Sequence, residues 1–143
     1  MRLSKFSDYS LRVLMHTALR APALVTIDEV ATAFGISRNH LVKVVHALGA
    51  NGFLATRRGV GGGFTLGQPS QEIVIGSVLR LTEADETVID CKNRQGRLCR
   101  IFPACRLKGA LDEAASAFYS ALDNYSLADL VKSSSEMKQL LRI

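Results

Sequence analysis

No stretch of this 143-residue chain approaches the roughly 18 uninterrupted apolar residues that a membrane-spanning helix requires. The first ten residues, Met1 to Ser10, also contain no apolar run of the signal-peptide type. Hydrophobic residues nevertheless make up 48% of the chain, which is too high a share for a disordered protein. We therefore expect a folded cytoplasmic protein with no membrane partner, built as one domain or as two small lobes sharing a core.

Residue combinations that carry catalysis are also missing from the sequence. No pair of carboxylates and no nucleophile with a histidine stands out as a catalytic group. The glycine-rich run 59–63 is followed neither by Gly-Lys-Ser/Thr nor by a predicted helix, so a phosphate-binding loop is disfavoured. We expect a protein that is not an enzyme.

Acidic residues are scarce in the first half of the chain. Residues 1–70 contain eight Lys and Arg against three Asp and Glu, whereas residues 71–143 contain ten of each. The whole net charge of +5 therefore lies in the first half. A small basic lobe next to a neutral one favours a polyanionic partner, although a merely soluble cationic surface remains the alternative.

Three short helices are predicted in the first 50 residues. Thr26-Ile27-Asp28-Glu29 has the form of a capping box, which starts the second helix, and Gly35 suits the left-handed position after it. Ser37 is a good cap for the third helix. The predicted bounds are about 7–21, 27–34 and 38–50. Two helices joined by a tight turn, the second with a basic start, are typical of a helix-turn-helix, although small helical bundles share the pattern.

A β-hairpin is predicted directly after the third helix, over residues 53–66. In that position a hairpin is the wing of a winged helix-turn-helix, so the fold class is mainly α with a small β-hairpin wing, and residues 1–70 form the DNA-binding domain. We interpret His40 and His46 as DNA-facing and His16 as a helix-surface residue. The candidate contacts with double-stranded DNA are Arg38, Asn39, His40 and Lys43 in the major groove, and Arg57 and Arg58 at the phosphates or minor groove.

Residues 71–143 are predicted to form the second part. It begins with a short strand over 73–75 and a short helix over 76–81, followed by acidic Glu83, Asp85 and Glu86. The longest helix is predicted over about 104–125, and at its C-terminal side Ser126 caps a short helix before a tail from Ser133. The long helix carries a coiled-coil-like stripe: Leu107, Leu111, Ala114, Phe118, Ala121 or Leu122, and Tyr125. We expect this stripe to meet a second copy of the chain; packing within the chain is the alternative.

Three cysteines, Cys91, Cys99 and Cys105, lie in a predicted loop over about 90–105. Their odd number argues against a disulfide framework. Six Lys and Arg and no acid occur between Cys91 and Lys108, and positive charge favours the thiolate anion that binds metal. The wide spacing, Cys-x7-Cys-x5-Cys, favours an iron–sulfur cluster, while zinc, redox-active thiols and inert thiols remain open.

The sequence resembles the cluster-binding winged-helix repressors of the Rrf type over nearly its full length. The segments similar to the start of that family are Met1-Arg2-Leu3, Asp8-Tyr9 and Leu11-Arg12. The segments similar to its DNA-reading half are Ser37-Arg38-Asn39-His40-Leu41-Val42-Lys43 and Arg58-Gly59-Val60-Gly61-Gly62-Gly63. The segments similar to its nitric-oxide-sensing, NsrR-like branch are Ala104-Cys105-Arg106-Leu107-Lys108 and Leu122-Asp123-Asn124-Tyr125-Ser126-Leu127-Ala128-Asp129-Leu130.

The resemblance implies a homodimeric transcriptional repressor with a near-palindromic operator and crossing long helices. It implies a cluster, of the 4Fe-4S type in this branch with 2Fe-2S as the alternative, held by Cys91, Cys99 and Cys105 with Asp8 of the partner subunit. Lys108 stands where another branch of the family has a histidine ligand. The longer interval from Cys91 to Cys99 resembles iron-responsive members, which makes iron status an alternative to nitric oxide as the signal. Oxidation of the thiols themselves is a separate alternative.

Overall fold

The computed structural model describes residues 2–83, 88–89, 91–92 and 95–143. The elements in chain order are α1 (Lys5–Arg20), α2 (Ile27–Phe34), α3 (Arg38–Ala50), β1 (Leu54–Arg57), β2 (Gly63–Leu66), α4 (Ile75–Thr82), a 3₁₀ turn (Phe102–Ala104), α5 (Arg106–Leu122), α6 (Leu127–Leu130) and α7 (Ser134–Leu141). The fold class, mainly α with one small hairpin, is confirmed. None of the helices within these ranges has the length and apolar character needed to cross a membrane.

Local caps set the bounds of the first three helices. The Ser4 side chain accepts a hydrogen bond from the Ser7 N–H at 3.1 Å, so α1 begins at Lys5, slightly before the predicted start. Thr26 and Glu29 form both bonds of the capping box at the start of α2. Gly35 adopts φ 63°, a left-handed conformation in which a residue with a Cβ atom would meet a steric penalty. The predicted bounds of α2 and α3 are confirmed.

The hairpin is anchored to the segment before α2. Its antiparallel register pairs Leu54 with Leu66 and Arg57 with Gly63. Val25 and Phe64 exchange backbone hydrogen bonds of 2.9 and 2.8 Å, which adds Val25 to the outer side of β2. A Cβ atom at Gly63 would lie 2.5 Å from the Val25 carbonyl oxygen, so this close approach requires glycine. The hairpin is thereby fixed relative to the helix-turn-helix.

One hydrophobic core serves both halves of the chain. Helix α1 packs against α2, α3 and β2 from the first half and against α4 and α6 from the second. The fully buried side chains of the two halves join a single cluster, whose largest members include Leu14, Leu41, Leu48, Ile73, Leu79 and Leu127. The position of the predicted DNA-binding half relative to the second half is therefore set by packing.

Three predictions for the second half are wrong. Residues 73–75 form no strand, because Val74 pairs only with Ser126 in an isolated bridge and Ile75 already begins α4. The long helix spans Arg106–Leu122, about 26 Å at 1.5 Å per residue, and Pro103 lies within a 3₁₀ turn that precedes it. The tail predicted from Ser133 contains α7.

The acidic surface predicted at 83–86 is described only in part. The Glu83 carboxylate accepts a hydrogen bond of 2.8 Å from the backbone N–H of Ser4, the N-cap of α1, so it has a structural partner. Asp85 and Glu86 lie outside the described residues, as do Asp90 and Arg94 of the predicted cysteine loop.

His16 is fully buried, so its prediction as a helix-surface residue is wrong. Its ring packs edge-on against Phe34, with 6.1 Å between the ring centroids. Neither ring nitrogen has a hydrogen-bond partner within the described ranges. Burial lowers the pKa of His16; nearby Glu29 opposes the effect, and Arg20 adds to it. The imidazole is therefore held neutral between α1 and α2.

We expect the stability of the protein to fall as the pH decreases below 6.5, the ordinary pKa of histidine. Below that pH the unfolded chain binds a proton at His16 that the folded chain excludes, because the folded-state pKa is lowered. Unfolding by urea at pH 7.5 and pH 5.5 measures the difference. The substitution His16→Leu should reduce this loss. An equal pH dependence in the variant and the wild type would contradict the assignment.

Candidate nucleic-acid interface and candidate metal centre

Helix α3 separates a buried apolar side from an exposed polar one. Leu41, Val44, Val45 and Leu48 are buried. The predicted DNA contacts on this helix are all exposed: Arg38, Asn39, His40 and Lys43. Three of these four residues occupy the first turn, so the N-terminal end of α3 is the polar and basic one. This is the end that enters the major groove in helix-turn-helix proteins.

The His40 ring is held in place by two neighbours. Ser37 is the predicted N-cap residue of α3, but its hydroxyl lies 3.1 Å from His40 Nδ1 and makes no capping bond to the backbone. The Tyr9 ring from α1 lies 6.0 Å from the His40 ring, centroid to centroid. Helix α1 thus contacts a predicted DNA-binding side chain directly. His46 is also exposed, as predicted.

Arg38 forms an ion pair that the sequence analysis did not identify. Its Nε donates to Asp28 Oδ1 at 3.0 Å, across the turn between α2 and α3. No sequence motif links the two positions; each lies in the first turn of its helix, and the packing of α2 against α3 brings them together. A cleft of about 350 Å³ between the two helices and the hairpin is lined by Asp28, Arg38 and Arg57, among others.

The wing presents its two arginines beside a glycine-rich turn. Arg57 ends β1, and Arg58 begins the turn that leads to β2. Within the turn the Gly62 N–H donates to the Gly59 carbonyl at 2.9 Å, and Gly59 has φ 96°, which favours glycine. Both arginine side chains are exposed. Together with the start of α3, they form a basic surface suited to a phosphate backbone.

Two of the three cysteines lie opposite each other. Lys92 and Leu98 form an isolated antiparallel bridge, and the Cys99 N–H donates to the Cys91 carbonyl at 2.8 Å. The third, Cys105, is the N-cap residue of α5. Each of the three thiols is free, and Cys99 is exposed.

Lys108, in the first turn of α5, is electrostatically coupled to this segment. Its ammonium group bonds to Asp112, which raises the pKa of Lys108, and the Cys91 and Cys105 thiols raise it further. One cation therefore interacts with two of the three sulfur atoms. The Lys108 ammonium and the N-terminus of α5, with its partial positive charge, both lie beside this segment.

The cysteine segment matches an iron–sulfur cluster in its donor chemistry. Cysteine thiolates are the usual protein ligands of such clusters, and the three sulfurs occur within one short segment beside a cation. In the part of the chain that the structure describes, no three His, Cys, Asp or Glu side chains are close enough together to hold a metal ion. The residue types fit a cluster, and the conformation is an open one.

Asp8, the predicted fourth ligand, lies in the first turn of α1. Its Oδ1 accepts a hydrogen bond of 2.9 Å from Arg12 Nε, and its side chain is 43% exposed. It borders an apolar cleft of about 400 Å³ between α1 and α7, lined in part by Leu11, Met15 and Leu140. The carboxylate is therefore accessible to a second molecule.

We expect mild oxidation of the metal-free protein to link Cys91 to Cys99 in preference to either pair that includes Cys105. Residues directly opposite in an antiparallel bridge have Cα separations within the disulfide range of about 4.4–6.8 Å. Diamide treatment followed by peptide mass spectrometry identifies the bond. Cys105→Ser should leave the product unchanged, and a dominant bond to Cys105 in the wild type would refute the pairing.

The comparisons with known proteins agree with this geometry. The model of the Rrf2 family, described as an iron-dependent transcriptional regulator, matches residues 3–133. A Bacillus subtilis (strain 168) protein named HTH-type transcriptional regulator NsrR is 43% identical over 144 aligned residues, with 100% of this chain and 99% of the relative covered. A Shouchella clausii protein of the same name is 41% identical, with 99% of this chain and 96% of the relative covered.

Solved structures with low sequence identity share the fold. The global cysteine regulator CymR of B. subtilis has a TM-score of 0.72 at 22% identity, covering 93% of this chain and 98% of its own. The structure titled T. potens IscR has a TM-score of 0.74 at 20% identity, covering 95% and 90%. Because the family model matches most of the chain and the B. subtilis relative matches it from end to end, this chain belongs to the Rrf2 family of transcriptional regulators.

Proposed function

We propose that this protein is a homodimeric transcriptional repressor whose affinity for operator DNA is set by an iron–sulfur cluster that responds to nitric oxide. The observation that carries the DNA-binding part is the exposed basic end of α3 beside the Arg57–Arg58 wing, on a helix whose other side is buried. Arg38, Asn39, His40 and Lys43 face the major groove, and the wing contacts phosphates or the minor groove. Two-fold symmetry then requires a near-palindromic operator.

Exposed apolar side chains near the start of α5 support the dimer. Leu98, Ile101 and Leu107 are 53%, 64% and 57% exposed. Farther along the same helix, Ala115 and Tyr119 are buried, and Phe118 and Leu122 pack against the core of their own chain. The predicted stripe therefore divides: Phe118 and Leu122 pack within the chain, whereas Leu107 and the final member, Tyr125, are exposed and available to a second copy. Clustered exposed apolar residues mark interaction sites.

Cys91, Cys99 and Cys105 are the proposed thiolate ligands, with the carboxylate of Asp8 of the partner subunit as the fourth. Three thiols in one segment and an accessible carboxylate on α1 support this set. A bound 4Fe-4S cluster would supply iron atoms that react with nitric oxide. An aspartate oxygen is a harder ligand for iron than a thiolate, which suits an exchangeable position. Helix α1, which carries Asp8, also packs against α3, so the proposed ligand and the DNA-binding helix are in direct structural contact.

Thiol oxidation is a second candidate signal. The opposed positions of Cys91 and Cys99 favour it, because a disulfide between them would remove two of the three thiolates at once. Iron status remains the third possibility, in which loss of the cluster itself is the signal. The cofactor content of the protein distinguishes nitric-oxide sensing by a cluster from sensing by free thiols.

We expect protein purified without oxygen to contain about four iron atoms and four sulfides per chain, with a visible absorption that nitric oxide bleaches. About two of each would move the assignment to a 2Fe-2S cluster, and neither, after anaerobic reconstitution, would refute the cofactor. Asp8→Ala should make the cluster more easily lost during anaerobic gel filtration. Asp28→Ala is the matched control, since it removes another exposed acid from a first helical turn.

We expect the affinity for DNA to depend steeply on salt. If about six phosphates are neutralised per dimer, the logarithm of affinity falls with the logarithm of salt concentration at a slope of roughly −5. Arg58→Ala should weaken binding to operator and random duplexes alike, since its proposed contacts are phosphates. Asn39→Ala should weaken operator binding more. Fluorescence anisotropy measures all of these values, and a slope near zero in the wild type would contradict DNA binding.

A further inference from the structure

The ion pair between Asp28 and Arg38 joins the two helices of the helix-turn-helix at their N-terminal ends. We propose that Asp28 is a positioning residue for sequence recognition: its carboxylate fixes the guanidinium of Arg38 so that the terminal NH₂ groups read a guanine in the operator. This inference rests on the proposed DNA binding and adds a determinant of specificity to it.

The geometry leaves the recognition end of Arg38 available. Asp28 Oδ1 accepts a hydrogen bond of 3.0 Å from Arg38 Nε, the guanidinium donor nearest to the backbone of Arg38. In the described part of the chain, Asp28 is the only hydrogen-bond or ion-pair partner of Arg38. A guanidinium carries five N–H donors in a rigid fork, and two of them match the O6 and N7 acceptors of guanine. Holding Nε therefore restricts the fork without occupying the donors that a base requires.

Folding stability does not account for the pair. The Arg38 and Asp28 side chains are 62% and 73% exposed, and ion pairs this accessible contribute little to stability. Asp28 also takes no part in the capping box of α2, which uses Thr26 and Glu29. The carboxylate is thus not required by the local fold.

The charge of Asp28 has the wrong sign for simple DNA attraction. Only three acids occur in residues 1–70, and Asp28 is the one that lines the cleft shared by α3 and the hairpin, with Arg38 and Arg57. A carboxylate in that cleft repels phosphates and lowers the affinity for every sequence. Its position is understandable if the loss of general affinity is accompanied by better discrimination through Arg38.

Asp28 either positions Arg38 or only repels DNA, and the two interpretations differ in the expected ratio of operator to random affinity. A library of randomised duplexes is first enriched by the wild-type holoprotein, prepared without oxygen, and the selected operator is sequenced. Dissociation constants are then measured by anisotropy for the selected operator and for a random duplex of equal length. The variants are Asp28→Ala, Arg38→Ala and the double substitution. Glu72→Ala, which removes an exposed acid outside the cleft, is the charge-matched control.

We expect Asp28→Ala to bind the random duplex more tightly than the wild type does, while its ratio of operator to random affinity falls about tenfold. Arg38→Ala should lower the same ratio, and the double variant should lower it no further. Both single variants should lose the preference of the wild type for a guanine in each half-site. Glu72→Ala should leave the ratio unchanged.

Three results would contradict the role of Asp28, its action through Arg38, or DNA binding itself. If Asp28→Ala tightens binding to both duplexes equally, the carboxylate only repels DNA and the inference is wrong. If its effect on the ratio persists in the Arg38→Ala background, Asp28 does not act through Arg38. If the wild type enriches no sequence and binds no duplex, the proposed DNA binding fails, independently of Asp28.

Discussion

Helix α1 packs on α3 from the first half of the chain and on α4 from the second, and most of the remaining organisation depends on these contacts. Val13 and Leu14, both fully buried, lie in the cluster that unites the two halves. The same helix presents Asp8 and Arg12 on a partly exposed side and brings Tyr9 to His40 of α3. Hydrophobic burial thus places a candidate metal ligand and a candidate DNA contact on neighbouring, tightly packed helices. Small shifts of one packed helix displace its neighbours, because protein interiors are densely packed.

The cysteine segment contrasts with this core. Of the described residues between 95 and 104, all but Phe102 are exposed. Segments with little buried apolar area open and rearrange at low free-energy cost. A region of this kind adapts its backbone to a bound group, while the core keeps the helices in place. The proposed ligand-binding segment is thus separate from the packed core that holds the helices.

Local sequence motifs predicted the helix-turn-helix accurately. The capping box at Thr26 and the glycine at position 35 act on neighbouring residues, so the bounds of α2 follow from sequence alone. Helix α3 begins where predicted although Ser37 makes no capping bond. The burial of His16 did not follow from the sequence. It depends on Phe34 of α2 packing over that side of α1, and the sequence does not show this contact. The Asp28–Arg38 pair escaped notice for the same reason, since it depends on the angle between two helices. Helix α7 was missed because its apolar residues are too few for a clear pattern.

The shared core also bears on how the chain is divided. Ile73, Leu79 and Leu127 come from the second half, yet they pack in the same cluster as Leu41 and Leu48 of the helix-turn-helix. A fragment ending at residue 70 would expose those surfaces to water and lose much of its hydrophobic stabilisation. The DNA-binding half is accordingly no independent module to be cut out and transplanted. Because the two halves share one core, we expect them to unfold as one cooperative unit, so that a ligand stabilising one half also protects the other.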